Sequence, residues 1–247
     1  MNVSFTRRGF RVREVVRKES DASLLLFTEG SGSLWAVARG LKRSRKRFPG
    51  SVRKLCLYEF LLRREKGGGF SLTGARLLKS YEELATRYEY YLASDYALEI
   101  VTKLYPENVD SRWIFRRLLC LLDHFSEKGR IPPALSWMEM SLLLDSGYFP
   151  RFDSCSSCGG GFSGDKVYMN KQNLSLLCNK CEKKGVFIVT DRNEVVAFFE
   201  FVRSDEVPHG DDFRLLAEKY GKVVRGAFLH RLGYLPRALK SLENIAS

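Results

Sequence analysis

The chain has 247 residues, is 45% hydrophobic and 13% aromatic, and carries a formal net charge of +12. Its length and apolar content suit a folded protein with a real core, in two domains or one with an insert, and exclude a disordered basic tail. The charge is uneven: residues 1–80 hold 19 Lys+Arg against 6 Asp+Glu, and residues 81–247 hold 22 against 23.

Residues 1–80 read as β-structure. Phe10 and Val12 alternate with Arg11 and Arg13, and Glu19-Ser20-Asp21 is turn-like. Leu24–Thr28 and Ser33–Ala38 are strands around a Glu29-Gly30-Ser31-Gly32 turn. A basic loop follows, Arg39-Gly40-Leu41-Lys42-Arg43-Ser44-Arg45-Lys46-Arg47, with six cations and no anion in nine residues, closed by Phe48-Pro49-Gly50. Leu55–Leu62 and Phe70–Leu78 are two further strands around Gly67-Gly68-Gly69. Five short strands at this spacing predict a small closed barrel, and the OB-fold is the five-stranded barrel suited to single strands.

From residue 81 the periodicity becomes helical. Tyr88, Tyr91, Leu92, Asp95, Leu98 and Val101 form one stripe, and Ile114, Leu118, Leu121, Leu122 and Phe125 a second. Pro132-Pro133 opens a third helix that Gly147 ends. Residues 151–187, rich in Cys, Gly, Ser and Lys, read as an insert. Helices resume at Glu194–Val202 and Asp211–Arg231. The fold class expected is α+β: an OB-fold barrel over 1–80, then a helical domain over 81–247 with the insert at about 151–187. No apolar run approaches the ~20 residues that span a bilayer. Met1–Arg13 has no apolar stretch behind its cations, so no secretory signal is expected and the cytoplasm is the expected location.

Within the insert, Cys155-Ser-Ser-Cys158 and Cys178-Asn-Lys-Cys181 are separated by 19 residues, the spacing of a four-thiolate zinc site. Four thiolates close a tetrahedral sphere and leave no place for a water nucleophile, so one structural zinc is expected. Cys56 and Cys120 sit alone in apolar runs and read as core. A redox pair or four unrelated thiols is the plainer alternative.

The basic stripe is best matched by a polyanion. The candidate phosphate ligands are Arg39, Lys42, Arg43, Arg45, Lys46, Arg47, Arg53 and Lys54, with Arg7, Arg8 and Arg11 as an extension. Trp35, Phe48, Tyr58 and Phe60 are nearby candidates for stacking on bases, although such residues are more often core. His124, His209 and His230 are scattered. No phosphate loop, His-Glu-x-x-His motif or nucleophile elbow is present, and the carboxylates of residues 1–80 form no paired motif, so no enzyme activity is expected. An RNA-binding OB and zinc-ribbon module is the alternative reading.

Several blocks, in order, resemble those of the bacterial recombination mediator family RecO. They are Glu19-Ser20-Asp21, Leu24–Thr28 and Ala38-Arg39-Gly40 leading into Lys42–Phe48. Then come Leu142-Leu143-Leu144-Asp145-Ser146-Gly147-Tyr148-Phe149-Pro150 running into Cys155-x-x-Cys158-Gly159, and Leu239-Lys240-Ser241-Leu242 near the end. Arg39 stands where Lys is common, and Arg45-Lys46-Arg47-Phe48 where Ser-Arg-Phe is frequent; both changes keep or add positive charge. The resemblance implies binding of single- and double-stranded DNA, annealing of complementary strands, and loading of recombinase onto DNA coated by single-strand binding protein. It implies as partners the acidic C-terminal tail of that protein and the RecR ring. A tail of that kind needs an apolar pocket with cations beside it. Arg112, Arg116 and Arg117 next to Ile114 and Leu118 offer this, as do Lys219, Lys222 and Arg225 next to Val223 and Phe228.

Overall fold

The computed structural model describes residues 3–48, 51–181 and 187–246. Pro49-Gly50, expected to close the basic loop, and part of the insert lie outside the described residues. The chain packs as two compact units: one runs to Leu122 and takes in the chain from Pro236 on, and the other is Asp123–Leu235.

In the first unit β1 (Ser4–Val16), β2 (Ala22–Thr28), β3 (Gly32–Ala38), β4 (Cys56–Arg64) and β5 (Phe70–Ser80) close a barrel in the order β1-β2-β3-β5-β4. Neighbours are antiparallel except β3 and β5, which pair in parallel at Ala36↔Phe70 and Val37↔Ser71. This is the OB-like barrel. Alternation sets its inside: Leu34, Ala36 and Ala38 of β3 are buried while Trp35 and Val37 are exposed. The interior is Leu24, Leu26, Leu34, Tyr58, Phe60, Leu62 and Leu72, joined by Leu41, Phe48 and Val52 from the segment between β3 and β4.

Phe10 and Phe27, fully buried, pack on Phe115 with ring centroids 5.9 Å away in each case. Phe115 belongs to α2 (Arg112–Ser126), which follows α1 (Tyr88–Leu104). Tyr88, placed in the apolar stripe of α1, is exposed, and burial runs over most of the helix from Tyr90 to Val101. The reason is that α1 meets three barrel strands on one side and α6 (Arg237–Ala246) on another. No helix of the described residues is long and apolar enough to cross a membrane.

Ser111, just before α2, ties that helix to the β2–β3 turn. Its buried hydroxyl accepts from the N–H groups of Gly30 and Gly32 at 3.0 and 3.2 Å and donates to the Thr28 carbonyl at 2.6 Å. Ser111→Ala orphans two N–H groups, and about 2 kcal/mol of stability is expected to go. A urea titration of the purified variant checks it: a midpoint equal to wild type would show that the turn holds without this hydroxyl.

The second unit is built on α3 (Ile131–Asp145) and α5 (Asp211–Leu232), with α4 (Arg192–Glu200) beside α5. α3 is buried without a break from Pro133 to Leu143, as a helix that is apolar all round should be. At Gly221 of α5 an added Cβ would lie 2.5 Å from the Ser136 hydroxyl, so only glycine allows this approach of the two helices. Glu139 on α3 is fully buried and accepts a hydrogen bond from Arg225 on α5 at 2.8 Å. The insert forms a small sheet of β6 (Lys166–Asn170), β7 (Leu176–Leu177) and β8 (Phe187–Asp191) in the order β7-β6-β8. His124 and His209, read as scattered, bring their rings to 5.3 Å, and burial, with a smaller push from His209, lowers the His124 pKa.

Candidate nucleic-acid interface and metal centre

The basic loop is held by both flanks. Leu41 and Phe48 enter the barrel interior, so the residues between them are displayed as a folded arch. The β1–β2 turn grips the near side. Asp21 accepts the Gly40 N–H at 2.8 Å, the Ser20 carbonyl accepts the Lys42 N–H at 3.3 Å, and Glu19 pairs with Arg43 at 3.2 Å. The Gly40 bond is the main reason that the Asp21 pKa lies below its ordinary value. The Glu19-Ser20-Asp21 block therefore has a physical task, which is to fix the entry of the arch.

The eight candidate cations are not equivalent. Lys42, Arg45 and Lys46 are exposed and their side chains make no hydrogen bond or ion pair among the described residues. Arg39 is exposed at the end of β3, and Arg43 shares its charge only with the exposed Glu19. Arg47 works inside the arch, donating to the Arg39 carbonyl at 3.0 Å and the Ser44 hydroxyl at 3.1 Å. Arg53 and Lys54 already face carboxylates, Glu82 at 2.7 Å and Asp95 at 2.7 Å. Of the extension, Arg8 pairs with Glu29 at 2.7 Å, Arg11 with Glu14 at 3.1 Å, and Arg7 donates to Ser31 at 3.0 Å. The cations most open to phosphate are thus those of the arch itself.

The four aromatic candidates separate as well. Phe48, Tyr58 and Phe60 are interior residues at 1%, 2% and 0% exposure, whereas Trp35 is 44% exposed on the outer face of β3.

In the second unit the four cysteines converge: one sulfur from each of Cys155, Cys158, Cys178 and Cys181 lies within 4.8 Å of all the others. Two tight turns aim them. The first is closed by Gly159 N–H to the Cys155 carbonyl at 2.9 Å, with Gly159 at φ +72°, and the second by Cys181 N–H to the Cys178 carbonyl at 3.0 Å. Ser156 N–H donates to the Leu176 carbonyl at 2.9 Å and locks the turns together. A tetrahedral ion with bonds of about 2.3 Å asks for sulfurs about 3.8 Å apart, and Cys158 and Cys178 stand at 4.0 Å. The donor set fits a metal ion. Burial opposes ionisation of Cys155, but the N–H groups of Cys158, Cys178 and Ser157 outweigh it and bring the thiol down to about 6. Hydrogen bonds to the sulfurs of Cys158 and Cys178 push Cys181 up to about 12. The site thus favours a first thiolate and resists a full set of negative charges unless a cation joins it. Cys56 is buried and Cys120 half-buried.

The six candidate partner cations are also unequal. Arg117 is buried with its guanidinium 4.2 Å from the Trp113 ring centroid, and Arg225 serves the buried Glu139. Arg112 is bound to Asp110 at 2.6 Å, and Lys219 to Glu194. Arg116 and Lys222 remain exposed and make no side-chain bond among the described residues. A cavity of about 290 Å³ at the far end of α5, which periodicity did not reveal, has an apolar floor of Leu143, Leu174 and Ala227 with His230 and Arg231 at its side. Arg231 lies 3.9 Å from the Tyr148 ring centroid, so the Gly147-Tyr148-Phe149-Pro150 block helps to build this cavity.

A family model described as recombination protein O, N terminal, matches residues 1–81, and one described as recombination protein O, C terminal, matches residues 85–243. Among curated relatives, a protein named DNA repair protein RecO from Syntrophomonas wolfei is 27% identical over 195 residues, covering 79% of this chain and 77% of its own length. One of the same name from Geobacter sulfurreducens is 30% identical over 169 residues, 68% and 69% of the two chains. Another from Dehalococcoides mccartyi is 22% identical over 245 residues, 98% and 96% of the two chains.

Proposed function

This chain belongs to the RecO family of DNA repair and recombination proteins, and from that premise we propose that it is a non-enzymatic mediator that binds single- and double-stranded DNA, anneals complementary strands and helps load recombinase onto coated DNA. The observation that carries the reading is the arch between Leu41 and Phe48, whose ends are pinned by the barrel interior and the β1–β2 turn and whose exposed cations project from it. Fixed cations beside one another screen two phosphate backbones and lower the repulsion that slows pairing. Sequence-tolerant contacts then let the strands slide into register.

The cysteine cluster holds one structural zinc in this proposal, supplied by Cys155, Cys158, Cys178 and Cys181. The ion orders the insert and takes no part in strand exchange, because four thiolates leave it no open position.

The acidic tail of single-strand binding protein and RecR are the proposed partners. The Leu143–Arg231 cavity supports the first, since it offers an apolar floor and a cation to a peptide ending in an apolar residue amid carboxylates. Arg116 and Lys222 are the exposed cations left from the two helical faces. The test is annealing on naked strands and on strands precoated with single-strand binding protein. Arg231→Glu, and likewise charge reversal at Lys222 or Arg116, is expected to abolish annealing on coated DNA and to spare it on naked DNA. Equal loss on both substrates would assign these residues to DNA binding or folding. Arg225 is unsuitable for such a test, because its removal strands the buried Glu139.

A further inference from the structure

We propose that the outer face of β1-β2-β3 is a base-stacking platform for single-stranded DNA, centred on Trp35; the inference rests on the DNA-binding reading above and adds to it a subsite for bases rather than phosphates. Strand register defines the face. One outward row runs Arg13–Leu25–Trp35 and the next Val15–Ser23–Val37. Trp35, Val15 and Val37 are 44%, 39% and 37% exposed, Leu25 between them is half-buried, and Ser23, which accepts from Arg17, is buried. The same side of the barrel over Phe27 is closed by Phe115 and Tyr105, so the open apolar surface begins at Trp35.

The charge bordering this face is mostly positive. Arg13 stands at the end of the Trp35 row and makes no side-chain bond among the described residues. Arg17 donates to the Ser23 hydroxyl at 2.8 Å and so lies along the second row. Arg39 is exposed and directly follows Ala38, the last residue of β3, and the arch begins there. Neither row contains a carboxylate. Of the carboxylates at its borders, Asp21, two residues before Ser23, accepts the Gly40 N–H at 2.8 Å, and Glu65 is occupied by Arg63 at 3.1 Å and by the Ser71 hydroxyl. An exposed indole on an apolar strand face, bordered by cations, matches a ligand that is planar and apolar in its bases and anionic in its backbone. Single strands offer free base faces and duplexes do not, so the platform separates the two.

The experiment compares wild type, Trp35→Thr and Trp35→Phe on three ligands: a 20-nucleotide oligo(dT), an abasic strand with the same number of phosphates, and a 20-base-pair duplex. Threonine keeps strand propensity while removing the ring, and a thermal melt of each variant shows whether the barrel is intact. Wild type is expected to bind oligo(dT) roughly tenfold more tightly than the abasic strand. Trp35→Thr erases that difference, Trp35→Phe keeps most of it, and abasic and duplex affinities stay within about twofold throughout. Equal wild-type affinity for oligo(dT) and the abasic strand overturns the platform and leaves the cationic arch standing. Parallel loss on all three ligands in Trp35→Thr overturns it too, by making the indole structural. Absence of wild-type binding to every ligand overturns the DNA-interface reading itself.

Discussion

Alanine at Lys42, Arg43, Arg45 and Lys46 together is expected to remove most of the salt dependence of DNA binding. Each neutralised phosphate on a single strand contributes about −0.7 to the slope of log K against log salt, so an arch that engages about 4–6 phosphates gives a slope of roughly −3 to −4. Wild type then loses about a hundredfold in affinity between 50 and 200 mM salt, and the variant less than about tenfold. The loss is the same for every sequence, because phosphate contacts carry no base information. Arg47 is left in place because it donates to the Arg39 carbonyl and the Ser44 hydroxyl and so shapes the arch. Releasing Arg43 from Glu19 costs little, since both side chains are largely solvated. Fluorescence anisotropy across a salt series reads the slope directly, and a variant with the wild-type slope would remove the arch from the interface.

The second large effect concerns the cysteine cluster. Purified without chelator, the protein is expected to hold about one zinc per chain, and Cys178→Ser to hold none. Cys178 is central: its sulfur stands 4.0 Å from that of Cys158, and its N–H donates to the Cys155 sulfur at 3.4 Å. The sheet around it is three short strands, one of two residues, with too little buried area to stand alone. Loss of the ion therefore belongs to the largest class of single-substitution effects, above about 4 kcal/mol for the unit that carries it. Elemental analysis and limited proteolysis check this, with cleavage expected in the insert first. The affinity of the barrel for DNA should change less than stability does, because the arch cations belong to the other compact unit. Metal-free wild type with an intact insert would contradict the zinc reading.

The barrel and the four-cysteine cluster were legible because their signals are local. Alternation in Ser33–Ala38 and glycine-marked turns place the strands, and two Cys-x-x-Cys pairs state their own geometry. The missed parts depend on partners distant in sequence. Nothing near Arg53 or Lys54 announces Glu82 or Asp95, yet those carboxylates occupy both cations. Phe48, Tyr58 and Phe60 look as available for stacking as Trp35 until barrel closure turns three of them inward. The α6 helix has only Pro236 before it as a local mark, and its buried contacts are Ala238 and Leu239. Glu139 carried no signal within an apolar helix, and only the approach of α5 supplies Arg225.

The central claim is that fixed cations of the arch bring strands together, and the most direct measurement is the annealing rate of naked complementary strands with wild type and the four-alanine arch variant. The wild-type rate should exceed the spontaneous rate and fall with salt in step with binding, while the variant should stay near the spontaneous rate at every salt concentration. A variant that anneals as fast as wild type would contradict the account.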